Sequence, residues 1–280
     1  MVLGKINNFY IIASESAVIE VIGGKYIRDI NPAEIIVIEK RQIKKSFLYK
    51  TPKKQSTCIF EQVYFSRPDS IMFYKTVKEA RVKMGKFLAK QMKDVKVDVV
   101  IPVPDTGYFA ALGFSRESNI LFENGFVKNH YVGRSFIKPS QNLRDLTANL
   151  KLRPIKEVIK DKEIILIDDS IVRGTTSKKI VNMLRDVGAK KIHFALSCPP
   201  IICPCYYGID TPSKEYLIAT NHSIEEMKEY LNVNTLTFLN LNNLVKSCSF
   251  DNVKSNIFCT ACFTGKYPTK ISKNTYKRVN

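Results

Sequence analysis

The stretch Ile164–Ser177 reads IILIDDSIVRGTTS. Four apolar residues run into two aspartates, and a glycine with three hydroxyl residues follows. An unbroken apolar run of this length fits a strand buried on both faces. The next segment, SKKIVNMLRDVGA, has helical spacing and closes at Gly188. A turn between strand and helix leaves unpaired backbone N–H groups at the helix start, where an anion can bind. Gly174 lets the backbone come close to that anion. Thr175, Thr176 and Ser177 add hydroxyl donors that can also cap the helix. The lysine of the nucleotide P-loop, GxxxxGK[ST], is missing. Asp168 and Asp169 can hold ribose hydroxyls or a magnesium ion, because hard cations prefer oxygen ligands. One turn can thus grip a 5-phosphate and the sugar that carries it. A solvated acidic pair on an ordinary turn explains DD alone, but poorly explains DD with GTTS at this spacing.

Outward from this stretch the chain has α/β rhythm over residues 57–245. VKEARVKMGKFLAKQM, AALGFSRES and SKKIVNMLRDVGA read as helices; VDVVIPVP, IILIDD and KIHFALS read as strands. Strands alternating with helices predict a parallel sheet flanked by helices. Ligands of such sheets bind at the carboxyl ends of strands, where Pro102, Pro104 and the Asp168–Asp169 pair fall. Residues 1–45 read as β-rich: NFYIIAS and AEIIVIEK are strand-like, and SAVIEVIGG is a short helix stopping at Gly23–Gly24. Arg41–Ser56 reads as a polar, basic link, and residues 246–280 as a short tail with little periodicity.

The chain has 280 residues, 45% of them apolar, enough for a sizeable core. No apolar run approaches the length of a membrane span. MVLGKINNFYIIASES has no basic-then-apolar signal pattern. The expectation is a cytoplasmic protein without membrane or nucleic-acid partners. The net charge of +18 invites a nucleic-acid reading. The lysines are spread along the chain beside Ile and Asn, however, and a basic surface suits a polyphosphate substrate equally well. Among seven cysteines, Cys259 and Cys262 form a CxxC, which in a cytoplasmic chain suggests metal or redox chemistry, with free thiols as the plain alternative.

IILIDDSIVRGTTS resembles the phosphoribosyl-diphosphate (PRPP) binding motif of phosphoribosyltransferases, and most closely that of the amidophosphoribosyltransferases of purine synthesis. IPVPDTGYFAALGF (101–114) resembles that family's diphosphate loop, and GFVKNHYVGRSFIKPSQNLR (125–144) its closing active-site loop. PCYYGIDTP (204–212) and CTACFTGKYP (259–268) resemble its later signatures. The resemblance spans nearly the whole chain, in order. It implies a type I phosphoribosyltransferase fold at 46–245, preceded at 1–45 by the β-rich end of an Ntn-hydrolase glutaminase domain and followed by a cysteine-bearing tail.

The resemblance also implies roles. Asp168 and Asp169 contact the ribose hydroxyls and, with Thr106, hold Mg2+. Arg173, Gly174, Thr175, Thr176 and Ser177 hold the 5-phosphate. Asp105, Thr106 and Gly107 lie against the diphosphate. Lys128, Tyr131, Arg134, Gln141 and Arg144 belong to the segment that closes over the substrate; His130 stands where the family carries arginine. One subgroup carries a [4Fe-4S] cluster at positions matched here by Cys58, Cys205, Cys259 and Cys262. A four-thiolate site of this kind takes zinc or an iron–sulfur cluster. Cys203 is a rival to Cys205, and Cys198 and Cys248 are packing residues.

The implied reaction is displacement of diphosphate from PRPP by ammonia, which the family takes from glutamine, giving 5-phosphoribosylamine. The family's glutaminase nucleophile is an N-terminal cysteine, whereas the first cysteine here is Cys58. A fragment, a split-gene product and a degenerate homologue all fit. The expected partners are PRPP, ammonia, a separate glutaminase chain and further copies of the chain. Another class of function is a PRPP-sensing regulator that binds DNA, but residues 1–56 show no helix-turn-helix. A nucleobase salvage transferase would lack the four-cysteine set.

Overall fold

The computed structural model describes residues 1–50, 55–73, 75–128, 152–249 and 257–271. These divide into two compact units, Met1–Arg81 with Val245–Ala261 and Lys266–Lys270, and Val82–Leu244 with Cys262–Gly265.

In the first unit β1 (Val2–Ile6) lies between β2 (Phe9–Ala13) and β3 (Lys25–Asp29) in an antiparallel sheet. Helix α1 (Ser16–Val21) packs on that sheet and buries Ala17 and Ile19 with Val2 and Leu3 of β1. The chain turns away at Gly23, whose φ of +78° suits a residue without a side chain. A hairpin follows, β4 (Glu34–Glu39) with β5 (Gln42–Leu48). Lys40 and Arg41 both take positive φ, as the two-residue turn favoured by strand twist requires. The link expected over Arg41–Ser56 therefore opens with a strand, Gln42–Leu48. Pairing with β4 outweighs the polar composition, since strand preference depends on cross-strand context more than on residue type. The short strands Thr57–Cys58 and Phe258–Cys259 pair in parallel, with Cys58 opposite Cys259.

Helix α2 (Val77–Gln91) leads to the second unit. There β6 (Val99–Pro102), β7 (Glu163–Asp168), β8 (Lys191–Leu196) and β9 (Thr235–Phe238) form an all-parallel sheet, in the order β9-β8-β7-β6. Ile164, Ile165, Leu166 and Ile167 are all fully buried, so β7 is covered on both faces as its apolar run predicts. Helix α3 (Tyr108–Ser118) packs on β6 and β7. Helix α4 (Thr175–Asp186) buries Ile180, Val181 and Leu184, and α5 (Ile224–Leu231) buries Met227 and Leu231 against the same core. Each fully buried aliphatic side chain contributes about 1.5–3 kcal/mol, so this cluster is a firm platform for the loops at the strand ends. Gly188 ends α4 with φ +95°, at the predicted stop. Among the described residues no helix is long and apolar enough to cross a membrane.

Candidate functional site

The carboxyl ends of β6 and β7 lie side by side, because the strands pair in register up to Ile167 opposite Pro102. Beyond that point Val103 N–H still donates to the Ile167 carbonyl at 2.8 Å. The chain then folds through Pro104, Asp105 and Thr106, and Gly107 N–H closes the turn on the Val103 carbonyl at 3.0 Å. A Cβ on Gly107 would stand 2.2 Å from the Ile167 carbonyl oxygen. Only glycine lets this loop lie so close to β7.

That approach delivers Thr106 to the aspartates. Its hydroxyl lies 2.6 Å from Asp169 Oδ1 and 3.4 Å from Asp168 Oδ1. Asp169 N–H donates to Asp168 Oδ1 at 2.8 Å, and Ser170 Oγ donates to Asp169 Oδ2 at 2.5 Å. Both aspartates are buried, at 8% and 5% exposure. Burial first, and the Asp169 charge second, push the Asp168 carboxyl well above its ordinary value. Two adjacent carboxylates whose donors, among the described residues, are all neutral form a site that a divalent cation relieves. The donor set Asp168, Asp169 and Thr106 is all oxygen and fits magnesium. Ser170, not singled out from the sequence, belongs to this group; its signal was the serine directly after DD.

The anion cradle follows. Gly174 has φ +78° and occupies the N-cap of α4, where no side chain caps the helix. This differs from the expected hydroxyl cap. The left-handed residue itself makes the entry, so the first-turn N–H groups are not used by a capping hydroxyl. Thr175 and Thr176 are exposed and Ser177 is buried at the loop. Arg173 is exposed at the rim. Lys128, the last described residue of the stretch likened to a closing loop, forms an ion pair with Asp105 of the 103–107 turn. Tyr131, Arg134, Gln141, Arg144 and His130 lie outside the described residues.

None of the seven cysteines forms a disulfide. Cys58 and Cys259 are register partners in the first unit. In the second, Cys262 accepts the N–H groups of Ile202 and Cys203 on its carbonyl, at 2.9 and 3.1 Å. Cys205 Sγ accepts the Tyr207 N–H at 3.4 Å, a contact that suits a thiolate. Cys198 and Cys248 are buried, and burial pushes the Cys198 thiol well up, in keeping with a packing role. Among the described residues no three His, Cys, Asp or Glu side chains stand together so as to hold a metal ion.

A parallel sheet with a carboxylate pair and a glycine-led turn into a helix at its carboxyl edge defines a type I phosphoribosyltransferase. The model of the phosphoribosyl transferase domain matches residues 74–223, and the chain belongs to that family. Along 99% of its length it is 43% identical to amidophosphoribosyltransferase 2, chloroplastic, of Arabidopsis thaliana, covering 49% of that protein. It is 43% identical over 98% of its length to amidophosphoribosyltransferase of Bacillus subtilis, covering 57% of it. It superposes with a TM-score of 0.89 on glutamine PRPP amidotransferase from B. subtilis complexed with ADP and GMP, at 43% identity, over 98% of this chain and 60% of that one. The chain thus spans about half the length of the curated relatives it matches.

Proposed function

We propose that this chain performs the transferase half of the amidophosphoribosyltransferase reaction, the first committed step of purine synthesis. The observation that carries the proposal is the buried Asp168–Asp169 pair, bonded to Thr106 of one strand-end loop and followed by the open N-terminus of α4. The identity to amidophosphoribosyltransferases along the whole chain supports the acceptor class.

In this reading the α4 N-terminus with Thr175, Thr176 and Ser177 binds the 5-phosphate. The Asp168–Asp169 pair faces the ribose hydroxyls. The lone pair of ammonia attacks the anomeric carbon, the bond from that carbon to the diphosphate oxygen breaks, and diphosphate leaves with the electron pair. The nitrogen then loses a proton to solvent, giving 5-phosphoribosylamine. Asp168, Asp169 and Thr106 would hold Mg2+, which when bound offsets the charge growing on the leaving group. Lys128 and Asp105 flank the diphosphate, and closure of Tyr131, Arg134, Gln141 and Arg144 over the substrate would exclude competing water.

The proposal assigns a [4Fe-4S] cluster, with zinc as the alternative, to Cys58, Cys205, Cys259 and Cys262. The cross-strand pairing of Cys58 with Cys259 and the N–H donated to Cys205 Sγ support it. Exposed Phe9, Ile12, Val21 and Phe47 support a protein partner, either a glutaminase chain or a second copy. The proposal places the chain in the cytoplasm, a compartment that keeps thiols such as its seven cysteines reduced. Magnesium-dependent release of diphosphate from PRPP with ammonia tests the function; no release by folded, metal-loaded protein overturns it.

A further inference from the structure

Arg173 and Lys178 bracket the first turn of α4, and each lies against a tyrosine from the chain that follows β8. The Arg173 guanidinium carbon is 5.4 Å from the centre of the Tyr216 ring, and Lys178 Nζ is 4.0 Å from that of Tyr230. Both distances fall where a ring face attracts a cation. The rings are tied to the loop. Tyr216 ends the 3-10 turn Lys214–Tyr216, and two residues later Ile218 N–H donates to the Val172 carbonyl at 2.9 Å. A Cβ on Gly174 would stand 2.7 Å from Ile218 Cδ1 and 3.2 Å from Tyr230 Cε1, so Tyr230 packs against the loop glycine itself. Lys178 donates its N–H to the Gly174 carbonyl at 2.9 Å, one turn along, and so shares that helix face. Among the described residues neither cation forms an ion pair.

We infer that Tyr216 and Tyr230 are positioning residues that hold Arg173 and Lys178 at the 5-phosphate subsite, which makes Lys178 a further cation of that subsite. The inference rests on the phosphoribosyl reading of the site. A long cationic side chain left in water loses rotamer freedom when it engages a phosphate, and a ring that already holds it removes part of that cost.

Calorimetric titration of the full 280-residue chain with ribose 5-phosphate tests this. Tyr216→Leu and Tyr230→Leu are each expected to raise Kd about two- to fivefold, the range of an exposed cation–π contact. Tyr216→Phe and Tyr230→Phe keep the ring and should bind like wild type. Lys178→Met should itself weaken binding, and Tyr230→Leu should add nothing in that background. Wild-type affinity in the Leu variants or in Lys178→Met overturns the inference, as does equal loss in the Leu and Phe variants. Where a Leu variant does not fold, the Phe and Lys178→Met results decide. A wild-type chain that does not bind ribose 5-phosphate overturns the phosphoribosyl reading, and the inference with it.

Discussion

Thr106 places its hydroxyl 2.6 Å from Asp169 Oδ1 and so joins the loop after β6 to the end of β7. Among the described residues the aspartate pair has Thr106, Ser170 and the Asp169 N–H as its hydrogen-bond donors, all of them neutral. The fold therefore holds two carboxylates together in a buried place at a cost to its own stability. Carboxylates held in this way are characteristic of binding sites, where stability is given up for function.

The first prediction concerns that cost. Burial and Asp169 raise the folded-state pKa of Asp168 above its unfolded value of 3.8. The protonated form is favoured in the fold, so its contribution is full below that value and lost as pH rises through the raised folded pKa. Without divalent metal, Asp168→Asn should remove this decline and melt no lower than wild type at neutral pH. The same variant should lose about 10- to 100-fold in PRPP turnover, the scale typical of a disturbed metal site. Melting curves across pH in chelator, with steady-state rates in magnesium, measure both. A variant less stable than wild type at neutral pH and equally active contradicts the assignment.

A second prediction follows from the close approach of the two strand-end loops. Gly107→Ala puts a Cβ 2.2 Å from the Ile167 carbonyl oxygen, and neither backbone can turn aside as a side chain does. Relief requires the 103–107 loop to move off β7, taking Thr106 away from Asp169. The expected cost is about 1–3 kcal/mol of stability, with weaker PRPP binding. Thermal melts and titration with PRPP check it; a variant matching wild type in both would show that the loop adapts freely.

Much of this site was legible because local signals and tertiary placement agree. The apolar run before Asp168 fits a doubly covered strand and is one, and Gly188 closes α4 where the periodicity ends. What was not legible depends on contacts distant in sequence. β5 hides in a basic stretch because its partner β4 decides it. α5 went unread although its capping box, Ser223 with Glu226, stands in the sequence, because eight residues give a weak period. The hydroxyls after Gly174 read as a cap, yet the left-handed glycine takes that position. Only the resemblance groups Thr106 with Asp169, 63 residues apart in sequence; the physical cause is the parallel pairing of β6 and β7.

The third prediction uses His193 on β8. Its Nδ1 pairs with Thr235 Oγ1 at 3.0 Å, while Nε2 is buried without a hydrogen-bond partner among the described residues. Burial lowers its pKa from the ordinary 6.5. The neutral ring is the favoured folded form, so its stability contribution is full above pH 6.5 and is lost as pH falls toward the depressed folded pKa. His193→Leu should flatten that acid-side decline and cost about 1 kcal/mol at higher pH through the lost Thr235 bond. Denaturant titrations between neutral pH and mild acid read the difference; identical acid slopes in both proteins would show that His193 does not carry it.

A fourth prediction tests the thiolate set. Protein purified without oxygen should contain iron and acid-labile sulfide. Serine in place of Cys58, Cys205, Cys259 or Cys262 should remove both and destabilise the fold, because metal binding and folding are linked. Serine at Cys198 or Cys248 should leave iron content unchanged, since these thiols are buried as packing groups. Stoichiometric zinc in colourless anaerobic protein favours the zinc alternative. Protein that retains its metal in the Cys259→Ser variant removes that residue from the ligand set.

The last prediction separates ammonia from glutamine. Attack on a glutamine amide at neutral pH needs an activated nucleophile such as a thiolate. The 280-residue chain has no cysteine before Cys58, which is paired across the sheet with Cys259 and assigned to the metal site. Displacement of diphosphate by ammonia needs no such nucleophile, since the neutral amine attacks directly. The isolated chain is therefore expected to release diphosphate from PRPP with ammonia and at background rate with glutamine. Its rate should rise with pH as ammonium gives up its proton. Addition of a glutaminase polypeptide that docks against the exposed Phe9 side chain should restore glutamine use, and Phe9→Asp should weaken that rescue while sparing the ammonia reaction. Diphosphate release measured with each nitrogen donor decides the matter. Glutamine-dependent turnover by the pure chain would place the amide chemistry on residues of this chain and refute the division of labour proposed for it.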